Sequence, residues 1–367
     1  MAMESDPQQL QWNVVLVLTG LAMAWMLLCL WLRSQRQRFL SSFSPQEDAD
    51  YLMRILANVE FPYLSHTSME FAIFRTCAIP SISKILDKTG VFRVAAAKRA
   101  DDTEILTREF LLHHVDSDRG SLAIRRLNFI HSQYVISNDD YLYVLALFAR
   151  EPVRWARRFG YRKWTSAEEV AAFVKWRDVG VRMGIKHIPE NVQELERWEE
   201  EYEKKNMKYA DSNRRVADAQ FTLLLEKYPR CTHSLLRRAI YAMLDDRLRT
   251  GLGYPRQAEW IQRLVRGTLR FCVGTFVSLF LPPRPLLLAA DRIKVDIKEQ
   301  GEKFNPEMVR PLSFQRYSSC SYPNGYKIAD VGAFKPGQLG TAVEGELLCP
   351  LSSRYFAMTW PPEQSYF

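Results

Sequence analysis

The chain is poor in the residues that mark dedicated chemical sites. Its 367 residues include six cysteines (Cys29, Cys77, Cys231, Cys272, Cys320, Cys349) and six histidines (His66, His113, His114, His131, His187, His233). The cysteines lie far apart without a CxxC pair, so they read as buried or free thiols rather than a disulfide framework or a zinc site. There is no HExxH, no Walker or Rossmann glycine loop and no GxSxG. No histidine has Glu three residues before it, so the ExxH pairs of a di-iron bundle are missing. Zinc hydrolysis, nucleotide-dependent chemistry and di-iron carboxylate chemistry thus lose their usual signatures. Nothing marks a Ser-His-Asp triad, although its members can be scattered. With 16 Gly and 18 Pro the composition is neither collagen-like nor low-complexity. No series of short alternating strands and no repeat of 20–50 residues is visible.

What is present is apolar and basic. A hydrophobic fraction of 47% permits a sizeable core, and 50 Lys+Arg against 42 Asp+Glu give +8. That balance admits nucleic acid, an anionic membrane surface or an acidic substrate as partner. No helix-turn-helix, RRM or zinc-finger pattern supports nucleic acid. Residues 14–32 (VVLVLTGLAMAWMLLCLWL) carry no charge and as a helix span roughly 28 Å, close to a hydrocarbon core. A signal peptide would have a basic leading flank and a shorter apolar stretch. Here Glu4 and Asp6 precede the run, whereas Arg33, Arg36 and Arg38 follow it. Positive charge after the span predicts an uncleaved single-pass anchor with the catalytic domain in the cytosol, by default at an endoplasmic-reticulum membrane. Residues 271–281 (FCVGTFVSLFL) are too short to cross. They read first as a buried core helix stopped by prolines, and second as a monotopic segment beside the anchor. Residues 237–294 hold 11 Lys+Arg against 4 Asp+Glu, suggesting a face docked on anionic lipid.

Helical patterning dominates the remainder. Residues 141–158 and 167–183 repeat apolar positions at helical steps, and Val192, Leu195, Trp198 and Tyr202 form one stripe. Gly180 and Gly184 read as positions of close helix packing. The expected fold is all-α, with an anchor segment at 1–38, one helical catalytic domain at 39–310 and an irregular tail at 311–367. His131 sits in IRRLNFIHSQY, among apolar and aromatic residues with Arg125 and Arg126 before it. It reads either as a hydrogen-bonded core residue or as an axial ligand to haem iron, which wants one imidazole on an apolar wall and arginines for its propionates.

Several stretches carry a family resemblance: EFPYLSHTSMEFAIFRTCAIPSIS from Glu60, DKTGVF from Asp87, NFIHSQYVISNDDYLYVLALFAREPVRW from Asn128, WEEEYEKKNM from Trp198, NRRVAD from Asn213, MLDDRLR from Met243 and LPPRP from Leu281. In this order and spacing, over roughly residues 51–290, the chain resembles the ER-bound oxygenase mpaB family and, more distantly, the rubber oxygenases. The tail resembles it only around GYKIADVG from Gly325. The resemblance implies an all-helical fold around one haem b and oxidative cleavage of isoprenoid C=C bonds by dioxygen. By the match of NFIHSQY it puts His131 at the proximal, metal-binding position. By the match of DKTGVF it puts Lys88 and Thr89 at the rubber-oxygenase distal pair. The rubber-oxygenase arginine four residues earlier is replaced by Ile85, with Lys84 beside it, so Arg75 either substitutes or pairs with a carboxylate. Glu70 stands either as a distal acid or as a surface glutamate. Arg99, Thr103 and Arg126 match positions that hold propionates, against a solvated alternative. LDDRLR reads as a helix-end ion-pair network and His233 as structural.

The expected function is a membrane-anchored haem oxygenase acting on a lipophilic, prenylated or unsaturated small molecule in terpenoid or meroterpenoid secondary metabolism. Its expected partners are dioxygen, the substrate and membrane lipid, with any redox partner unspecified. The alternatives are a related oxidation (hydroxylation, epoxidation or dehydrogenation) at the same site, or a non-catalytic membrane-anchored helical scaffold or lipid carrier.

Overall fold

The uncharged run extends on both sides into a single helix, α1 (Pro7–Leu40). In the computed structural model, which describes residues 7–226, 228–286, 328, 331 and 332, α1 is the one helix long and apolar enough to cross a membrane, and 6% of its apolar window is buried. The flank residues Glu4 and Asp6, the thiols Cys320 and Cys349 and most of 311–367 lie outside the described residues. Every regular element among the described residues is helical, as the patterning predicts.

After α1 come α2 (Ala49–Ile55), which runs into a π turn, α3 (Pro62–Thr76), α4 (Pro80–Thr89), α5 (Val91–Val94), α6 (Ala96–Leu112), α7 (Asp118–Ser132) and α8 (Asn138–Phe159). Then follow α9 (Ser166–Arg182), α10 (Val192–Asn206), α11 (Asp211–Glu226), α12 (His233–Met243), α13 (Asp246–Gly251) and α14 (Glu259–Leu269). A π stretch, Arg270–Phe276, leads into α15 (Val277–Phe280). The starts are written in the sequence. Pro62 and Pro80 occupy the first turns of α3 and α4, where a missing N–H costs nothing. Ser117, Ser137, Asn191 and Asp245 accept N-terminal N–H groups of α7, α8, α10 and α13, and Thr165 with Glu168 closes a capping box on α9.

The central helix is α8, packed against α3 on one side and α9 on another. Its apolar face feeds two cores. One gathers Leu142, Leu145, Ala146 and Ala149 with Phe110, Ala123 and Trp176. The other gathers Tyr143 and Leu147 with Phe74, Phe221 and Tyr254. Gly180 of α9 lies where a Cβ would stand 2.5 Å from Leu145 Cδ2, the close packing expected of it.

The interior also holds charge. Arg75 on α3 forks onto Glu203 of α10 at 2.8 and 2.7 Å and pairs with Asp245 at the start of α13. Tyr143 donates to Glu203 at 3.0 Å, and Arg247 donates to it at 3.1 Å. The alternation continues through Arg154, which bridges Glu151 (2.7 Å) and Glu199 (2.8 Å), and Arg150, 3.0 Å from Glu199. Burial alone would lower the Arg75 pKa, but the carboxylates outweigh it and raise it well above the ordinary value. Arg75 in turn holds Glu203 and Asp245 ionised against their own desolvation. Lys175, 1% exposed, pairs with Asp50 and donates to the His113 carbonyl at 3.0 Å, but there burial outweighs the partner and lowers the pKa.

Two expectations need correction. Residues 271–281 are no buried core helix: Phe271 is 60% exposed, and Phe276, Phe280 and Leu281 are exposed as well. The segment packs beside α1, because the core under it is already filled by Phe159 and Trp164. LDDRLR is more than a helix-end network. Asp245 breaks the helix between α12 and α13 and turns its carboxylate inward to Arg75, while Asp246 takes the surface pairing with Arg249 at 3.2 Å.

Two outcomes follow. Arg75→Met leaves the buried Glu203 with only Tyr143 and Arg247 and takes the arginine from the half-exposed Asp245, so it should destabilise the fold by about 3–5 kcal/mol, read as a lowered thermal midpoint in detergent. His113 is held neutral, with its pKa down at about 4 from 6.5, first by burial and then by Arg119, Arg54 and Lys175 against Glu109. The unfolded chain therefore takes up this proton first. The stability contributed is complete above 6.5 and is lost as pH falls toward 4. His113→Gln should flatten that part of the midpoint-versus-pH curve.

Candidate functional site

His131 lies in the last turn of α7, where its carbonyl accepts the Tyr134 N–H at 3.0 Å. No hydrogen bond reaches either ring nitrogen from the described residues, and Nδ1 is sealed from solvent without a partner. Burial, and then the Arg99 guanidinium, push the pKa down to about 4. The imidazole is therefore neutral at physiological pH and keeps a lone pair free for a metal. The ring of Tyr141, in the first turn of α8, lies 5.4 Å away at 54°. Burial raises the Tyr141 hydroxyl to about 12, so it remains a neutral donor.

Arg99 comes from the first turn of α6. Its guanidinium donates to the Thr103 hydroxyl one turn on, and that hydroxyl returns a bond to the Arg99 carbonyl at 2.9 Å. Burial lowers its pKa, with Asp102, Tyr134 and Cys77 close enough to oppose the shift. No carboxylate lies within ion-pair distance of it among the described residues. Asp102, 2% exposed, is instead held by Lys98 at 2.8 Å. Cys77, the C-cap of α3, has its thiol pushed up to about 12 by burial, against Thr76 and Arg99. It is an inert thiol within electrostatic reach of Arg99.

Arg126 is one turn and a half before His131 and 6% exposed. It donates to the Val331 carbonyl at 2.7 Å and lies over the Phe129 ring at 5.3 Å. Lys98 donates to the Gly332 carbonyl at 3.0 Å. Ile328 and Val331 belong to the same core as α7 and α8, so these two residues of GYKIADVG pack in the core that the histidine helix lines.

The structure thus brings together His131, Arg99 and Thr103, with Arg126 on the flank. Arg99 and Thr103 are half-buried and Arg126 is buried, which corrects the solvated alternative. Arg75 is fully engaged by carboxylates, the second of its two readings. Glu70 is half-buried rather than a surface residue: it stands 4.0 Å from His66, which also faces Glu104 at 4.0 Å. Lys88 and Thr89 are not in contact with this cluster. Ser83 turns inward from α4 to Asn213 (2.5 Å) and Ser212 (2.8 Å), which leaves Lys84 and Lys88 exposed, and the Thr89 hydroxyl donates to the Leu86 carbonyl at 2.7 Å. His233 binds the Tyr228 carbonyl at 2.9 Å, a local structural role. Lys98 and Asp102 were missed in the sequence, and Tyr134 and Tyr141, although inside the stretch from Asn128, were given no role there. Their role follows from three helix ends meeting.

Among the described residues no group of three or more His, Cys, Asp or Glu converges as a metal cage. The donor set suits a group that needs one protein ligand and a cation for its carboxylates. One neutral imidazole and one half-buried guanidinium, neither met by a partner carboxylate among the described residues, fit haem b in both respects.

A family model described as the catalytic domain of ER-bound oxygenase mpaB/B'/rubber oxygenase matches residues 107–273, a stretch that includes Arg126 and His131. The ER-bound oxygenase mpaB' of Penicillium brevicompactum is 31% identical over 329 residues, which cover 78% of this chain and 77% of that protein. This chain belongs to the mpaB/rubber-oxygenase family. A second member, the ER-bound oxygenase mpaB of the same organism, is 34% identical over 351 residues, 85% of this chain and 83% of its own. The mpaB of Penicillium roqueforti (strain FM164) is 34% identical over 226 residues, 57% and 76% respectively. As a family member the chain is an oxygenase, and hence an oxidoreductase.

Gly332 tests how the flank is held. Its φ is +129°, and a Cβ there would stand 2.4 Å from Ile130 Cδ1, next to His131. Gly332→Ala should cost about 1–3 kcal/mol through backbone strain and displacement of Ile130, visible as a lowered thermal midpoint.

Proposed function

We propose that this oxygenase holds one haem b on His131 and oxidises a lipophilic, prenylated or otherwise unsaturated small molecule at a C=C bond, in terpenoid or meroterpenoid secondary metabolism. The observation that carries the reading is the neutral imidazole of His131 beside Arg99, its Nδ1 sealed from solvent and without a partner among the described residues. In this reading His131 is the axial ligand. Arg99, oriented by its bond to Thr103, receives a propionate, and Arg126 closes the flank. Haem, when bound, supplies the activation of dioxygen for attack on the alkene. The protein's own part is to keep His131 unprotonated, to match the carboxylates with fixed positive charge and to keep water from the pocket with Ile130 and Tyr141. Lys88 and Thr89 are assigned to the opposite, distal side by the match of DKTGVF.

The curated relatives are named as ER-bound. With α1 apolar, exposed and followed by Arg33, Arg36 and Arg38, we place this protein as a single-pass anchor in the endoplasmic-reticulum membrane, its catalytic domain toward the cytosol. A lipophilic substrate partitions into that same bilayer.

Detergent-purified full-length protein should carry about one haem b per chain and a Soret band. It should consume dioxygen with a prenylated alkene and give carbonyl products. Active protein without haem overturns the cofactor reading. Products that keep the carbon skeleton intact overturn cleavage in favour of hydroxylation, epoxidation or dehydrogenation. Arg99→Leu should lower haem occupancy while sparing the Soret position of what remains bound.

A further inference from the structure

The segment from α14 through α15, residues 259–281, has one face on the protein and one that no described residue covers. On the covered side, Leu269 and Val273 pack against the Phe159 and Trp164 cluster, and Gly274 lies where a Cβ would be 3.5 Å from the Gly160 carbonyl oxygen. α15 then runs along α1. The Trp25 indole donates to the Phe280 carbonyl at 2.9 Å. Arg33 donates to the carbonyls of Val277 (2.8 Å) and Leu281 (2.7 Å), and Arg36 donates to that of Arg284 at 2.8 Å. Backbone carbonyls at a helix end are costly to leave bare in an apolar setting. Here the two arginines that follow the span meet them.

On the uncovered side, Trp260 is 66% exposed and Leu264 60%, and Phe271, Phe276 and Phe280 continue the surface. Scattered exposed apolar residues are ordinary, but a contiguous set is not. This set is continuous with the apolar band of α1, since Trp25 belongs to that band and bonds to Phe280. Arg256, Arg263 and Arg270 are exposed along the same segment. An apolar face with tryptophan, arginines beside it and too few residues to cross is the composition of a helix lying in a membrane interface.

We propose that residues 259–281 are a second membrane element. The segment is embedded in the leaflet entered by the carboxyl-terminal end of α1, with Arg256, Arg263 and Arg270 on anionic headgroups. α1 alone is a single tether about which the domain can turn. Two contacts, bolted together by Trp25, Arg33 and Arg36, fix which side of the domain faces the bilayer. The inference rests on α1 being a span.

Cys272 lies inside the segment, is a free thiol and is exposed, so it is a built-in probe. Full-length protein is reconstituted in vesicles of phosphatidylcholine and phosphatidylserine and washed with alkaline carbonate. Glu200→Cys, on the solvated face of α10, provides a water-side reference. A membrane-impermeant maleimide should label Cys272 at least about tenfold more slowly than position 200, because the thiolate reacts only from water. A fluorophore attached to Cys272 before reconstitution should be quenched by lipids with a nitroxide near the headgroup. Equal labelling rates in carbonate-resistant protein overturn the docking and leave the anchor standing. Slow labelling without nitroxide quenching assigns the shielding to protein and also overturns it. Release by carbonate overturns the anchor and this inference with it.

Discussion

The arrangement depends on Arg75. A guanidinium buried between helices costs several kcal/mol unless carboxylates meet it, and Glu203, Asp245 and Glu151 do so from three other helical elements. That requirement sets the rotation of α10, which must turn Glu199 and Glu203 inward, and the break before α13, which must deliver Asp245. Arg150 and Arg154 extend the same demand along α8. The network is distinct from the site yet governs it, because the helices it clamps also end at the pocket. α3 ends at Cys77, two residues beyond Arg75, and α8 begins near Tyr141, two residues before Tyr143. A small cavity of about 20 Å³ beside Arg150, Arg154 and Glu196 belongs to the network and has room for about one water.

The pocket works by what it withholds. Among the described residues, His131 receives no hydrogen bond on its buried nitrogen and Arg99 receives no carboxylate. In a soluble core both omissions would be penalties. On the proposed reading the two are met by a group that brings its own metal and its own negative charge. Arg99 also helps keep His131 unprotonated, so the cation proposed to meet a carboxylate also maintains the lone pair proposed to meet iron.

Much of this was legible in the sequence. The helices, the caps at Ser137 and Thr165 and the position of His131 on a helix follow from periodicity and local chemistry, and those signals are short in range. The fate of Arg75 was not legible, since its partners lie 128 and 170 residues away and a lone arginine announces neither. Asn213 of NRRVAD is similar. It reads as a motif residue, but its amide holds the carbonyls of Ala78, Lys208 and Gly251 together, a structural duty. Residues 271–281 failed for another reason. Composition separates apolar from polar, but it does not say whether protein or lipid is the apolar neighbour.

The central claim is that His131 would be the single, replaceable protein ligand of the haem iron, and rescue by free imidazole tests it most directly. Full-length His131→Gly protein, supplied with haem and imidazole, should bind haem with the absorption of a histidine-ligated iron, and should lose that spectrum when imidazole is removed. A His131→Gly protein that binds haem with the wild-type spectrum in the absence of imidazole would contradict the account, because the ligand would then come from elsewhere.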